Sequence, residues 1–173
     1  MQKYFKYGKY ILEEYEKFMS ITPRFMKTEK LFITGLFGNI NNHAELLKDF
    51  NSKYKERPFE ITDKYRCELP FWSKGNPKGI RKKGENYLIG FKTEGAILSD
   101  IFTTIELPEC IWAIFDVVPR IWYAKGDKDI QRWVDKNGEL RLLRFEGSKY
   151  QLEYYNEKYT GPDSIIEIWY PMK

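Results

Sequence analysis

Two short runs near the end of the chain constrain its fold more than any other stretch: Tyr150-Gln151-Leu152-Glu153-Tyr154-Tyr155 and Ile165-Ile166-Glu167-Ile168-Trp169-Tyr170. Both alternate and are rich in aromatic and β-branched residues, the pattern of half-buried strands. In the first run Leu152 and Tyr154 fall on one face, and Gln151, Glu153 and Tyr155 on the other. A carboxylate set between tyrosines in mid-strand calls for a cation, supplied either by the sheet or by a ligand. Glu153 is therefore the first candidate site residue, and Tyr155, on its face, could stack on a ligand or hydrogen-bond the carboxylate.

At 173 residues the chain is long enough for one domain with a full core or two small halves sharing one. Lys+Arg 29 against Asp+Glu 25 leaves a charge of +4, spread without clustering, which argues for a solvated surface rather than a nucleic-acid footprint. Aromatic residues make up 17%, with 13 tyrosines and 5 tryptophans, more than a core of this size needs. Tyr and Trp join a large apolar area to a polar handle, so the surplus suggests an aromatic-lined cavity or interface. Cys67 and Cys110 lack metal-type spacing and read as reduced thiols, and His43 has no carboxylate cluster beside it in sequence. No metal or cofactor is expected. Neither a signal peptide nor a run of ~18 apolar residues is visible, so the expectation is a soluble, cytoplasmic protein without membrane contact.

Along the chain, residues 1–20 read as an amphipathic helix ended by Thr22-Pro23, giving an N-terminal segment 1–23 ahead of a domain 24–173. Phe25 to Gly38 reads as strand, with Gly35 and Gly38 marking a bend or a close backbone approach. Asn41-Asn42 with Glu45 suggests a capped helix carrying Leu46, Leu47, Phe50 and Tyr54. Tyr65 to Trp72 reads as an edge strand, since Pro70 argues against a central one. Residues 73–84 read as loop, and 86–93 as a buried strand. Ile101 to Val118 reads as a strand pair or one bent strand, and Asp127 as the cap of a helix bearing Ile130, Trp133 and Val134. Asn137-Gly138 leaves residues 130–143 open to a hairpin as well as a helix. Strands at 150–156 and 164–172 close the set.

Strand–helix–strand–strand thus occurs twice, and with particular motifs it resembles the GyrI-like effector-binding domains of AraC- and MerR-type multidrug regulators. Ile105 to Phe115 (Ile-Glu-Leu-Pro-Glu-Cys-Ile-Trp-Ala-Ile-Phe) resembles that family's Ile-Pro-Ala-Gly-x-Tyr-Ala-Val-Phe strand, with Trp112 at the tyrosine position. Leu152-Glu153-Tyr154-Tyr155 is similar to its Phe-Glu-x-Tyr, and Glu167 to Pro171 to its terminal Glu-Ile-Trp-Ile-Pro. Glu29 to Gly35 and Tyr87-Leu88-Ile89-Gly90 resemble strands of its first repeat. Glu109-Cys110 departs from the Ala-Gly turn, and Arg144-Phe145-Glu146-Gly147 stands where the family has Trp-Leu-Pro-x-Ser-Gly.

The resemblance covers roughly residues 24–172 and implies an α+β fold. Two pseudo-symmetric β-α-β-β repeats, about 24–94 and 101–172, would form an antiparallel sheet with a central ligand cleft and helices on the opposite face. It implies binding of an aromatic or lipophilic, cationic small molecule, with Glu153 as the anchor and ring faces adding cation–π contacts. Trp112 follows as a stacking candidate, and Tyr87, Trp133, Phe37, Trp72 and Trp169 as further wall residues. The chain is expected to act as a stand-alone effector-binding or sequestering protein without binding nucleic acid itself, since only one helix precedes the fold. Two alternatives stay open: a hydrolase of reactive cyclopropane-type natural products using Glu153 as general base, and a gyrase-inhibitor-like protein-interaction module.

Overall fold

The computed structural model describes residues 22–57, 59–72, 85–125, 128–137, 144–145 and 148–172. The helix expected over 1–20, the loop over 73–84 and the cap at Asp127 lie outside the described residues. The elements run β1 (Arg24–Thr28), β2 (Leu31–Gly38), a 3-10 turn (Ile40–Asn42), α1 (His43–Tyr54), β3 (Arg66–Trp72), β4 (Tyr87–Thr93), β5 (Thr103–Leu107) and β6 (Cys110–Val117). They continue with α2 (Pro119–Lys125), α3 (Lys128–Lys136), β7 (Arg144–Phe145), β8 (Ser148–Tyr150), β9 (Leu152–Tyr155) and β10 (Ile166–Met172).

Every strand pair is antiparallel, and the main sheet follows the order β1-β6-β10-β9-β3-β4-β2-β5, with the β7–β8 hairpin joined to β3. Only Glu29-Lys30 separate β1 from β2, and only Pro108-Glu109 separate β5 from β6, although each pair lies toward opposite ends of that order. A chain advances about 3.8 Å per residue, so the two ends of the sheet must curl toward one another. Inside the curl lies one apolar cluster drawn from nearly every strand, including Ile33, Leu69, Leu88, Leu107, Trp112, Tyr150, Leu152 and Trp169. Lys92 closes part of it, its ammonium 4.1 Å from the Tyr154 ring and 4.8 Å from that of Trp169.

The outer face carries the helices. Phe50, Leu46, Leu47 and Tyr54 of α1 cover Leu36, Tyr87, Ile89 and Phe91. Trp122, Ile130 and Val134 of α2 and α3 cover Ala113, Phe115, Val117, Ile168 and Tyr170. Of the helix and hairpin left open over 130–143, the structure has a helix through Lys136, and Asn137 ends α3 by donating from N and Nδ2 to the Trp133 carbonyl at 3.0 and 2.8 Å.

Several expectations from sequence change. Phe25 to Gly38 forms two strands that do not pair with each other: β1 joins β6, and β2 lies between β4 and β5. Asn42 makes no side-chain cap, because the 3-10 turn moves that role to Asn39, whose Oδ1 accepts from the Asn41 amide at 2.9 Å. The largest change is β3, which is central, between β4 and β9. Phe71 faces Tyr150 and Glu68 faces Glu153, so β8 and β9 continue one register, interrupted at Gln151 opposite Pro70. The Phe71 amide donates to Asn86 on the β4 side, so the missing Pro70 N–H falls on the side of that interruption. A central strand tolerates this proline because the neighbouring ladder breaks where the donor is absent.

Gly35 sits opposite Gly90, and a Cβ on it would lie 1.9 Å from the Ile89 carbonyl oxygen and 2.6 Å from the Gly90 Cα. Both neighbours are backbone, so only a local parting of β2 from β4 could relieve the clash. Gly35→Ala should lower unfolding free energy by about 1–3 kcal/mol, seen as a lower urea midpoint. An unchanged midpoint would show that the two strands need no such approach.

Candidate functional site

The outer face holds two buried carboxylates between the two helix-covered clusters. Glu68 of β3 and Glu153 of β9 are opposite each other in register and are 0% and 3% exposed. Alternation places them there: Cys67 and Leu69 point into the inner cluster, as do Leu152 and Tyr154, so Arg66, Glu68, Glu153 and Tyr155 point outward.

Two tyrosines bridge the acids. The Tyr87 hydroxyl lies 2.5 Å from Glu68 Oε2 and 3.3 Å from Glu153 Oε2, and the Tyr155 hydroxyl lies 3.4 Å from both. Gln151 Nε2 donates to Glu153 Oε1 at 3.3 Å. His43, the first residue of α1, brings Nε2 to 2.8 Å from Glu68 Oε2, and Arg66 brings Nε to 2.8 Å from Glu68 Oε1. Burial pushes the Glu68 carboxyl up, but the His43 bond, the Arg66 charge and the Tyr87 hydroxyl outweigh it and hold the group below its ordinary value. The bond to Glu68 raises the His43 imidazole against an opposing pull from burial.

Above these acids lies a cavity of about 430 Å³, walled by Ile40, His43 and Leu47 on one side and by Pro119, Arg120, Tyr159 and Pro162 on the other. Arg66, Tyr87 and Tyr155 face it from the sheet. The cavity lies on the same face as the helices, whereas the expected cleft was placed on the face away from them. The inner face is filled by the packed cluster around Trp112. Neither glutamate is itself in the wall, so each is reached past the tyrosines, His43 or Arg66.

Of the residues singled out from sequence, Glu153, Tyr155 and Tyr87 come together here. Trp112 is fully buried in the inner cluster and donates from Nε1 to Thr28 Oγ1 at 2.8 Å, and Trp169 packs beside it with centroids 5.8 Å apart. Phe37 packs on Phe71 within the same cluster. Trp133 meets Phe115 and Phe25 under α3. Trp72 is placed only by its backbone register to Lys149, its side chain lying outside the described residues. Glu68, Arg66 and His43 were not singled out as site residues, and His43 does have a carboxylate partner. The available signal was the alternation Arg66-Cys67-Glu68-Leu69, which repeats the in/out pattern of Leu152 to Tyr155.

Among the described residues no group of three or more His, Cys, Asp or Glu could hold a metal, and no helix is long and apolar enough to cross a membrane.

No family model and no curated protein matches the sequence. Solved structures do match the fold. EcmrR in its complex with DNA aligns over 97% of this chain at TM-score 0.62 and 10% identity, this chain covering 63% of that one. The C-terminal domain of EcmrR aligns over 88% of this chain and 97% of its own length at TM-score 0.58 and 10% identity. SAV2435 bound to tetraphenylphosphonium aligns over 87% of this chain and 93% of its own length at TM-score 0.52 and 16% identity. The chain has the GyrI-like effector-binding fold.

Proposed function

We propose that the cavity on the outer face binds aromatic, lipophilic cations, with Glu153 and Glu68 as its acidic floor and Tyr87, Tyr155 and Tyr159 as ring contacts. The observation that carries this reading is the pair of buried carboxylates facing each other beneath an aromatic-walled cavity. Buried carboxylates attract a cation with little screening, and ring faces add cation–π attraction of about 0.5–2 kcal/mol each. A protein of the same fold is bound to tetraphenylphosphonium, a cation of this class, which makes it the natural probe.

The strand order supports reading β2-α1-β3-β4 and β6-α2-α3-β9-β10 as two repeats about a pseudo-two-fold axis between β3 and β9. On that reading Glu68 and Glu153 occupy equivalent strands, and the cavity is the cleft between the repeats. The role we assign is that of an effector-binding or sequestering module of the transcription-regulator type. Its setting would be the cytoplasm, in keeping with two free, buried thiols that burial pushes up to about 12 at Cys67 and about 11 at Cys110.

Calorimetric titration with tetraphenylphosphonium should give one site per chain. Glu153→Gln should weaken it by about 1–3 kcal/mol with an unchanged circular dichroism spectrum, the range for hydrogen bonds and contacts to a charged group. Equal affinity in that variant would remove Glu153 from the site. Recovery of a strained electrophilic ligand intact after incubation supports binding, and catalytic turnover seen by mass spectrometry would replace it with hydrolysis.

A further inference from the structure

Arg66 stands where a bound cation would stand. Its guanidinium lies 4.1 Å from the Tyr155 ring centroid and 5.8 Å from that of Tyr159, and both rings face the cavity. Its Nε is 2.8 Å from Glu68 Oε1, yet neither atom has a hydrogen-bond partner, so the pair is held by charge and ring contact without an aligned N–H···O bond. Burial pulls the guanidinium toward its neutral form, but Glu68, Tyr155 and Tyr159 together outweigh that and keep it charged. The other basic residues of the wall are His43, on Glu68 from the helix side, and Arg120, whose Nε is engaged by Asp163 at 2.7 Å. Arg66 is thus the cation that shares both the acid and the aromatic surface offered to a ligand.

We propose that Arg66 is a specificity-determining resident cation, which makes the cavity accept lipophilic monocations and reject dications of the same shape. This rests on the reading of the cavity as a cation site. A single charge can seat on the remaining ring faces and acidic floor while Arg66 stays on Glu68. A second charge on the same rigid ligand must approach the guanidinium, where like charges repel with little screening.

N-methyl-4-phenylpyridinium and N,N′-dimethyl-4,4′-bipyridinium have nearly the same shape and carry one and two charges. Their affinities are to be measured by calorimetry at one fixed pH on wild type, Arg66→Met and Arg66→Lys, so that His43 is common to all three. Wild type and Arg66→Lys should prefer the monocation, and Arg66→Met should shift the affinity ratio toward the dication by roughly tenfold or more. Arg66→Gln is the second neutral variant should the Met variant not melt cooperatively. A folded neutral variant with the wild-type ratio overturns the proposal, as does a Lys variant that behaves like Met. If wild type binds neither of these ligands nor tetraphenylphosphonium, the cation-site reading itself fails, which is a different result from an unmoved ratio.

Discussion

Glu68→Ala should lower the unfolding free energy by about 3–5 kcal/mol, the cost of removing one partner from a buried ion pair. The carboxylate is fully buried, and its loss strands the Arg66 guanidinium against Tyr155 and leaves His43 and the Tyr87 hydroxyl without their closest acceptor. Urea unfolding at neutral pH measures the loss, and a change below about 1 kcal/mol would mean that water or a neighbouring acid takes over those donors. The pH profile carries a second signature. Glu68 titrates below its ordinary 4.5, so its share of stability is present above that value and disappears as pH falls through the lowered pKa. His43 titrates above its ordinary 6.5, so its share is present below 6.5 and disappears as pH rises through the raised pKa. The interaction is therefore strongest between these two pKa values. His43→Asn should remove the alkaline slope and keep the acidic one, whereas Glu68→Gln should flatten both. A wild-type profile without an alkaline slope would show that the imidazole gains nothing from Glu68 in solution.

The site was half legible because only one of its two strands obeys a local rule. Glu153 and Tyr155 follow from period-two alternation in a run with no competing signal. Glu68 lies in an equally alternating run, but Pro70 two residues on pushed that strand to the edge of the sheet. What makes the proline tolerable, an interruption at Gln151 in the facing strand, is a pairing across about eighty residues that no local pattern records. His43 is likewise meaningful only through a partner 25 residues away that approaches from the sheet below. The pairing of β1 with β6 and of β5 with β2 escapes local reading for the same reason, since both strands sit two residues from a neighbour they do not pair with. The resemblance to effector-binding domains did anticipate the fold and brought Tyr87 in from the first half. It also drew attention to aromatic residues whose position in a motif says nothing about which face of the sheet they occupy.

Trp112 separates face from motif most sharply. Alternation groups it with Ile114 and against Ala113 and Phe115, and the structure keeps that grouping, but the helix-bearing, cavity side is the face of Ala113 and Phe115. Trp112 instead fills the curl of the sheet, edge-on to Tyr150 at 6.3 Å and to Trp169 at 5.8 Å between centroids. Trp112→Ala should therefore cost about 3–5 kcal/mol in unfolding free energy through the cavity it leaves, with a further loss from the Thr28 hydroxyl that its Nε1 now meets. Trp112→Phe, which retains most of the volume, should recover the greater part. Tetraphenylphosphonium affinity of the folded Phe variant should stay within about twofold of wild type, because no atom of Trp112 reaches the cavity wall and sheet backbone lies between. A Phe variant with near-native stability and tenfold weaker binding would place the ligand on the inner face, which requires the packed cluster to open and β5 and β6 to spread apart. That outcome would move the binding site to the other side of the sheet and leave Glu68 and Glu153 as a structural pair.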